Sequence, residues 1–137
     1  MIQLVKRRRL TKAQRLQVYE KYGGKCAYCG NHISLAEMQV DHIKPLALGG
    51  ADDISNFAPA CRMCNYYKST LTIEKFREQL GLLKGRLEKD FTYRLALKYG
   101  LIRECNKPVG FFFERHRDEE EELAEQTLRL KIENEIG

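Results

Sequence analysis

Two pairs of cysteines constrain this chain more than any other feature of its sequence. Cys26 and Cys29 form one Cys-x-x-Cys pair, Cys61 and Cys64 form the second, and Gly30 directly follows the first pair. A tight turn of this kind lets both thiolates of a pair face one ion, and two pairs supply the four ligands of a tetrahedral zinc site. Because such a site has no open position, we predict a structural Zn²⁺ rather than a catalytic one.

The length and composition favour one domain with an appendage. The chain has 137 residues, 43% of them hydrophobic, and no apolar run approaches the roughly 18–20 residues that span a membrane. No apolar segment of signal-peptide length follows the basic N-terminus. Four of the five cysteines fall in the two pairs, which favours a metal site over disulfides in a reducing compartment. We therefore expect a cytoplasmic protein with no membrane partner.

Charge is distributed unevenly along the chain. The net charge is +5, with +7 in residues 1–25, −1 in 26–69, +5 in 70–117 and −6 in 118–137. Basic flanks around a nearly neutral centre suit a polyanion that lies across a metal-holding site, although basic residues that only solvate the surface give the same balance. Arg7, Arg8 and Arg9 belong to a basic arm that either contacts nucleic-acid phosphates or remains a disordered end.

The segment around and between the cysteine pairs predicts two strands and a helix. Residues 38–43 alternate β-branched and polar side chains, and Pro45 ends this strand. Residues 46–56 contain Gly49-Gly50 and form a loop, and residues 57–59 form a short return strand. Residues 62–68 then form a helix, so the zinc site pins the assembly where a strand meets a helix.

An acid, an imidazole and an amide within this segment suit phosphodiester hydrolysis. His42 is the side chain near the strand end whose ordinary pKa, about 6.5, allows proton abstraction near neutral pH. Asp41 and Asn65 offer the anionic and amide oxygens that Mg²⁺ accepts while it keeps several waters. Adjacent residues of a strand point to opposite faces, so we expect the strand to end or twist at Asp41 and His42.

The ordered motif of this segment resembles that of the HNH endonuclease family. It runs Asp41-His42-Ile43-x-Pro45, Gly49-Gly50, Asn56 and Cys61-x-x-Cys64-Asn65-x-x-Lys68, and the resemblance covers about residues 12–69. It implies an α+β fold with a ββα-metal (His-Me finger) core stapled by two zinc knuckles, flanking helices and a helical C-terminal extension. It also implies a small stand-alone bacterial or phage nuclease that hydrolyses DNA with one catalytic metal ion and leaves 5′-phosphate and 3′-hydroxyl ends.

The resemblance assigns a role to each motif residue. It makes His42 the general base and Asp41 and Asn65 the ligands of the catalytic ion, with Mg²⁺ or Mn²⁺ favoured because both ligands are oxygens. Asn56 is expected to hydrogen-bond the loop backbone and orient the strand end that presents His42, unless it is an ordinary turn asparagine. Lys68 either contacts a phosphate or is a solvated helix lysine.

The chain divides into four predicted parts. Residues 1–10 are the basic arm, 11–69 the nuclease core, 70–117 an extension that packs on the core, and 118–137 an acidic amphipathic helix. Within the extension, apolar residues at helical spacing predict a helix from residue 73 to 87, residues 93–99 a second helix, and residues 109–113 a strand. The last part repeats an apolar residue every four positions, a stripe that packs on the body or forms a homodimer.

Three functions are compatible with these features. The first is an endonuclease that nicks one strand of double-stranded DNA per active site. The second is a non-catalytic zinc-knuckle module that binds nucleic acid, which leaves Asp41, His42 and Asn65 without a purpose. The third is an interaction protein whose C-terminal helix recruits partners while the nuclease core is vestigial.

Overall fold

A computed structural model describes residues 9–136 of the chain. Arg7 and Arg8 of the basic arm lie outside these residues, and Arg9 is exposed. No helix within 9–136 is long and apolar enough to cross a membrane. The elements are α1 Lys12–Glu20, β1 Gln39–His42, β2 Phe57–Ala60, α2 Arg62–Lys68, α3 Ile73–Gly81, α4 Leu83–Leu87, α5 Phe91–Lys98 and α6 Phe112–Ile136, with short 3₁₀ helices at Leu46–Leu48 and Ile54–Asn56.

Helix α1 begins with reciprocal capping hydrogen bonds. The Thr11 hydroxyl accepts from the Gln14 N–H at 3.1 Å, and the Gln14 side chain accepts from the Thr11 N–H at 2.9 Å. These bonds satisfy two donors that a helix start otherwise leaves free. Val18, on the buried side of α1, packs with Met38 and Phe57 in a small core cluster. The helix therefore covers one side of the sheet.

Strands β1 and β2 form a two-stranded antiparallel sheet, and α2 follows directly. Asp41 lies opposite Ala58 and His42 opposite Phe57 in the register. The predicted order of two strands and a helix is present, and α2 has the predicted bounds. Strand β1 ends at His42, as predicted, and it stays paired with β2 up to that residue. Asp41 and His42 therefore lie on opposite faces of β1.

Three aromatic rings form the centre of the main core. Phe76 from α3 stacks on Phe111 with ring centroids 5.1 Å apart and an interplanar angle of 13°. The Tyr28 ring meets both edge-on, with centroids at 5.4 Å from Phe76 and 5.6 Å from Phe111. All three side chains are almost fully buried. Edge-to-face and offset stacking are the favoured geometries for aromatic pairs, so this cluster ties α3 and the start of α6 to the first cysteine pair.

The predicted helix over residues 73–87 is two helices in the structure. The break falls at Gly81 and Leu82, where the Leu82 N–H bonds the carbonyls of both Glu78 and Gln79 at 3.2 Å. This mixture of four-residue and three-residue spacing tightens the turn and ends α3. Glycine lowers helix propensity at this position, and the sequence pattern of apolar residues does not register that effect.

The predicted strand over residues 109–113 is wrong, because α6 begins at Phe112. The backbone N–H groups of Phe112 and Phe113 donate to the carbonyls of Tyr28 at 3.1 Å and Ala27 at 2.8 Å. The first N–H groups of a helix have no partner inside the helix, so they are free to bond the first cysteine knuckle. Helix α6 then continues without a break past residue 117, and all of residues 118–136 are exposed.

Candidate active site and metal centre

The four paired cysteines converge as the sequence predicted. Their Sγ atoms all lie within 4.8 Å of one another, and those of Cys29 and Cys61 are 3.9 Å apart. A tetrahedral zinc ion with Zn–S bonds of about 2.3 Å requires sulfurs about 3.8 Å apart, so the donor set and its spacing fit Zn²⁺. Cys61 also caps α2, with its Sγ accepting from the Cys64 N–H at 3.4 Å.

Contacts between the sulfurs shift the thiol pKa values in opposite directions. A hydrogen bond from the Cys64 thiol, aided by the backbone N–H of Cys61, lowers the pKa of Cys26 to about 4. The same contact raises the pKa of Cys64, with burial adding to it, and burial raises the pKa of Cys29 to about 11. Four thiolates at this spacing repel one another, so full deprotonation of the cluster requires a cation between them.

Asp41 forms a buried ion pair with Lys68 of α2. The Lys68 ammonium lies 2.8 Å from Asp41 Oδ2 and donates to the His42 carbonyl at 3.0 Å, and neither side chain of the ion pair is more than 3% exposed. The Tyr28 hydroxyl donates to the same carboxylate oxygen. Burial and the neighbouring Asp41 charge raise the pKa of Tyr28, so its hydroxyl stays protonated and remains a donor. The carboxylate thus has a charged and a neutral donor, as a buried charge requires.

The position of Lys68 corrects the prediction that it binds nucleic acid. Its side chain is fully buried and its ammonium is engaged by Asp41, so it offers no free charge to a phosphate. A protein cation therefore lies beside Asp41, where the sequence predicted a metal ion. Within residues 9–136, Asp41 Oδ1 and the Asn65 amide accept no hydrogen bond. Asn65 precedes Lys68 by one helical turn and shares its side of α2.

His42 points away from Asp41 and pairs with a carboxylate that the sequence analysis did not select. Its Nε2 lies 2.9 Å from Asp52 Oδ1, and its ring meets the Phe57 ring edge-on with centroids 5.1 Å apart. The available signal for Asp52 was an acid two positions after Gly50, in the loop that returns to the strand end. A cavity of about 360 Å³ opens at this face, lined by Arg9, Leu10, Arg15, Val40, His42, Asp52 and Phe57.

Asn56 holds together the loop that carries Asp52. Its Nδ2 donates to the carbonyls of Lys44 at 2.9 Å and Ala51 at 2.8 Å, and its Oδ1 accepts from the Lys44 N–H at 2.9 Å. These are hydrogen bonds of the kind expected for this asparagine, and they close the loop at its neck. Gly50 completes the closure, because a Cβ at this position would lie 1.9 Å from the Lys44 carbonyl oxygen.

Two basic residues of the segment 1–25 stabilise the fold through hydrogen bonds to backbone carbonyls. Arg15 Nη2 donates to the carbonyls of Leu35 at 2.7 Å and Met38 at 2.9 Å. Lys21 Nζ donates to the Phe57 carbonyl at 2.8 Å, and partial burial lowers its pKa. Both side chains fix α1 to the segments around the sheet, so part of the positive charge near the cavity is already committed to backbone oxygens.

The comparisons with known proteins concern this same region. The family model described as HNH endonuclease matches residues 26–70. A CRISPR-associated endonuclease Cas9 from Actinomyces naeslundii is 33% identical over 69 residues, which are 50% of this chain and 6% of that protein. The crystal structure of the Type II-C Cas9 enzyme from the same organism aligns with a TM-score of 0.45 and 34% identity, over 49% of this chain and 8% of that one. The chain therefore spans a small part of the length of this relative.

Removing metal from the cysteine cluster should destabilise the fold. Treatment with a zinc chelator is expected to lower the melting temperature by about 10 °C or more, since the cluster joins the first knuckle to the start of α2. Circular dichroism measures this, and Cys64→Ala should reproduce the loss. Cys105→Ala is the matched control, because Cys105 is exposed and lies outside the cluster. An unchanged melting temperature after metal removal would refute a structural zinc site.

Replacing Lys68 should leave an uncompensated charge inside the protein. Lys68→Met keeps an unbranched side chain of similar length but removes the charged partner of Asp41, and we expect a loss of about 3–5 kcal/mol in the free energy of unfolding. Urea denaturation measures the change. Lys75→Met, at a lysine of α3 whose side chain is 64% exposed, should have no resolvable effect. Equal stability of the two variants would contradict the importance of the buried pair.

Proposed function

We propose that the protein, whose residues 26–70 match the HNH endonuclease family model, is a metal-dependent endonuclease that hydrolyses phosphodiester bonds of double-stranded DNA. The observation that carries the proposal is the His42–Asp52 pair at a cavity that Arg9 also lines. An imidazole in contact with a carboxylate, next to an exposed cation, suits the activation of water near a phosphate. We propose that the protein is soluble and cytoplasmic, and that a bacterium or a phage encodes it.

His42 acts as the general base in this proposal. A hydrogen bond from Nε2–H to Asp52 favours the tautomer whose lone pair is on Nδ1, and that nitrogen takes the proton of the attacking water. The Asp52 carboxylate then stabilises the imidazolium that forms. Phe57 fixes the plane of the ring from the side, and the loop closed by Asn56 holds Asp52 in place. Asp52 and Asn56 are therefore positioning residues.

Asp41 and Asn65 would hold one Mg²⁺ or Mn²⁺ ion through Asp41 Oδ1 and the Asn65 amide oxygen. When bound, such an ion would supply positive charge for the developing phosphorane and the departing 3′ oxygen. Because Asp41 and His42 lie on opposite faces of β1, this role requires the scissile phosphate to lie at the end of the strand, at His42. Lys68 and Tyr28 keep the Asp41 carboxylate in one orientation by engaging Oδ2. The products expected from the resemblance are 5′-phosphate and 3′-hydroxyl ends. One site cuts one strand, so a single copy nicks the duplex and a homodimer through the C-terminal helix could cut both strands.

One observation favours the rival function, a non-catalytic zinc-knuckle module that binds nucleic acid. The Lys68 ammonium already neutralises Asp41, as it would in a site that no longer needs a metal ion. This rival retains the cysteine cluster and the exposed Arg9 but predicts no turnover with any divalent ion. A cleavage assay with and without metal separates the two functions.

Supercoiled plasmid should be nicked in Mg²⁺ or Mn²⁺ and left intact in chelator. His42→Ala is expected to slow nicking by about 10²–10⁴-fold, because the base is lost, while DNA affinity stays within a few-fold. Gel electrophoresis reports nicked and linear products, and fluorescence anisotropy reports affinity. His32→Ala is the matched control, since His32 is exposed. Undiminished nicking by His42→Ala would eliminate the assigned base, and no metal-dependent nicking by the wild type would favour the binding module.

Replacing Asp52 should reduce the rate of nicking without weakening DNA binding. Asp52→Asn removes the charge that orients His42, and we expect a decrease of about 10–100-fold in kcat with little change in KM. Asp53→Asn is the matched control, because asparagine can replace Asp53 as the cap of the short 3₁₀ helix. Equal rates for these two variants, with unchanged melting temperatures, would show that Asp52 does not orient His42.

A further inference from the structure

The exposed part of α6 carries a narrow stripe of apolar, small and charged side chains that lies outside the candidate active site. Residues 118–136 are all exposed, and Leu123 and Leu128 leave 62% and 59% of their surface open. Large apolar side chains on a projecting helix indicate a partner, since most helices in proteins are stabilised by packing of an apolar face. The stripe consists of Glu120, Leu123, Ala124, Thr127, Leu128 and Lys131.

The order of residues in this stripe is self-complementary when the helix direction is reversed. The stripe is symmetric about the midpoint between residues 125 and 126, so that 120 matches 131, 123 matches 128, and 124 matches 127. Two antiparallel copies therefore place Glu120 opposite Lys131, and Leu123 opposite Leu128. Each of these contacts occurs twice, as an interface across a two-fold axis requires.

We propose that α6 binds α6 of a second copy of the chain as an antiparallel pair. Ala124 and Thr127 lie at the centre of the stripe, where small side chains allow the two helix axes to approach closely. The leucine pairs on either side bury apolar surface, and the Glu120–Lys131 pairs set the direction. A parallel pair would instead bring Glu120 against Glu120 and Lys131 against Lys131.

The charge of residues 118–137 favours a second copy of the chain over nucleic acid as the partner of the stripe. Residues 118–122 are five consecutive acids, and the whole segment 118–137 carries −6, which opposes contact with nucleic acid. Lys131 is one of two basic residues of the segment, and in the antiparallel pair it lies beside Glu120 of the partner helix. The pair therefore relieves the acidic repulsion with charges that the chain itself supplies.

The pairing also fixes the distance between two nuclease domains. Each domain sits at the Phe112 end of its helix, so antiparallel pairing places the two domains at opposite ends of the pair, about 40 Å apart at 1.5 Å per residue. The dimer itself does not depend on the proposed nuclease activity, and mass measurements test it separately.

Sedimentation equilibrium tests the proposal on the full chain. We expect the wild type at micromolar concentration to have twice the 16.0 kDa mass of one chain. Leu128→Glu should raise the dissociation constant by at least about tenfold, because it places a charge against Leu123 of the second copy. Ile136→Glu is the matched control, since Ile136 is 81% exposed, follows the end of the stripe and lies about 150° around the helix from its centre.

Exchanging charges tests the direction of the pair. Glu120→Lys and Lys131→Glu alone should each weaken the dimer by about tenfold, and the double variant should restore wild-type affinity within a few-fold. Single variants that weaken the dimer without rescue by the double variant would overturn the antiparallel register. A monomeric wild type, or equal effects of Leu128→Glu and Ile136→Glu, would overturn the interface. If the wild type is monomeric and Leu128→Glu loses DNA affinity, the stripe binds nucleic acid instead.

Discussion

Four cysteine sulfurs within 4.8 Å of one another connect segments that are far apart in the sequence. The first pair lies in a knuckle whose backbone carbonyls receive the start of α6, and the second pair opens α2. Tyr28, between Cys26 and Cys29, extends from the same knuckle into the aromatic core and to the Asp41 carboxylate. The cluster, the core and the buried acid therefore share one residue, and a change at any of the three would disturb the others.

The two faces of β1 carry two separate pairs of charged groups. On one face Asp41 meets a buried ammonium from α2, and on the other His42 meets the partly exposed carboxylate of Asp52. A regular strand produces this separation, because adjacent side chains alternate between faces. Each pair has its own carboxylate, so the group that orients the imidazole is distinct from the group next to α2.

Local patterns in the sequence predicted the sheet, α2 and the cysteine cluster, since spacing along the chain alone determines them. Asp52 and the burial of Lys68 could not be predicted in this way, because both depend on which face of a strand or helix a side chain occupies after packing. The three consecutive phenylalanines suggested a strand by propensity. Tertiary contacts prevailed there, with Phe111 buried and the next two N–H groups bonded to the first knuckle.

The conformation of the loop after β1 depends on Gly50, a residue with no side chain. A methyl group at Gly50 would collide with the Lys44 carbonyl, and relief of that collision would separate the backbone segments that Asn56 bridges. Asp52, two positions further on, would then lose its place beside the imidazole. A single added carbon atom at position 50 would therefore separate Asp52 from His42, although every acid, base and metal donor remained in the sequence.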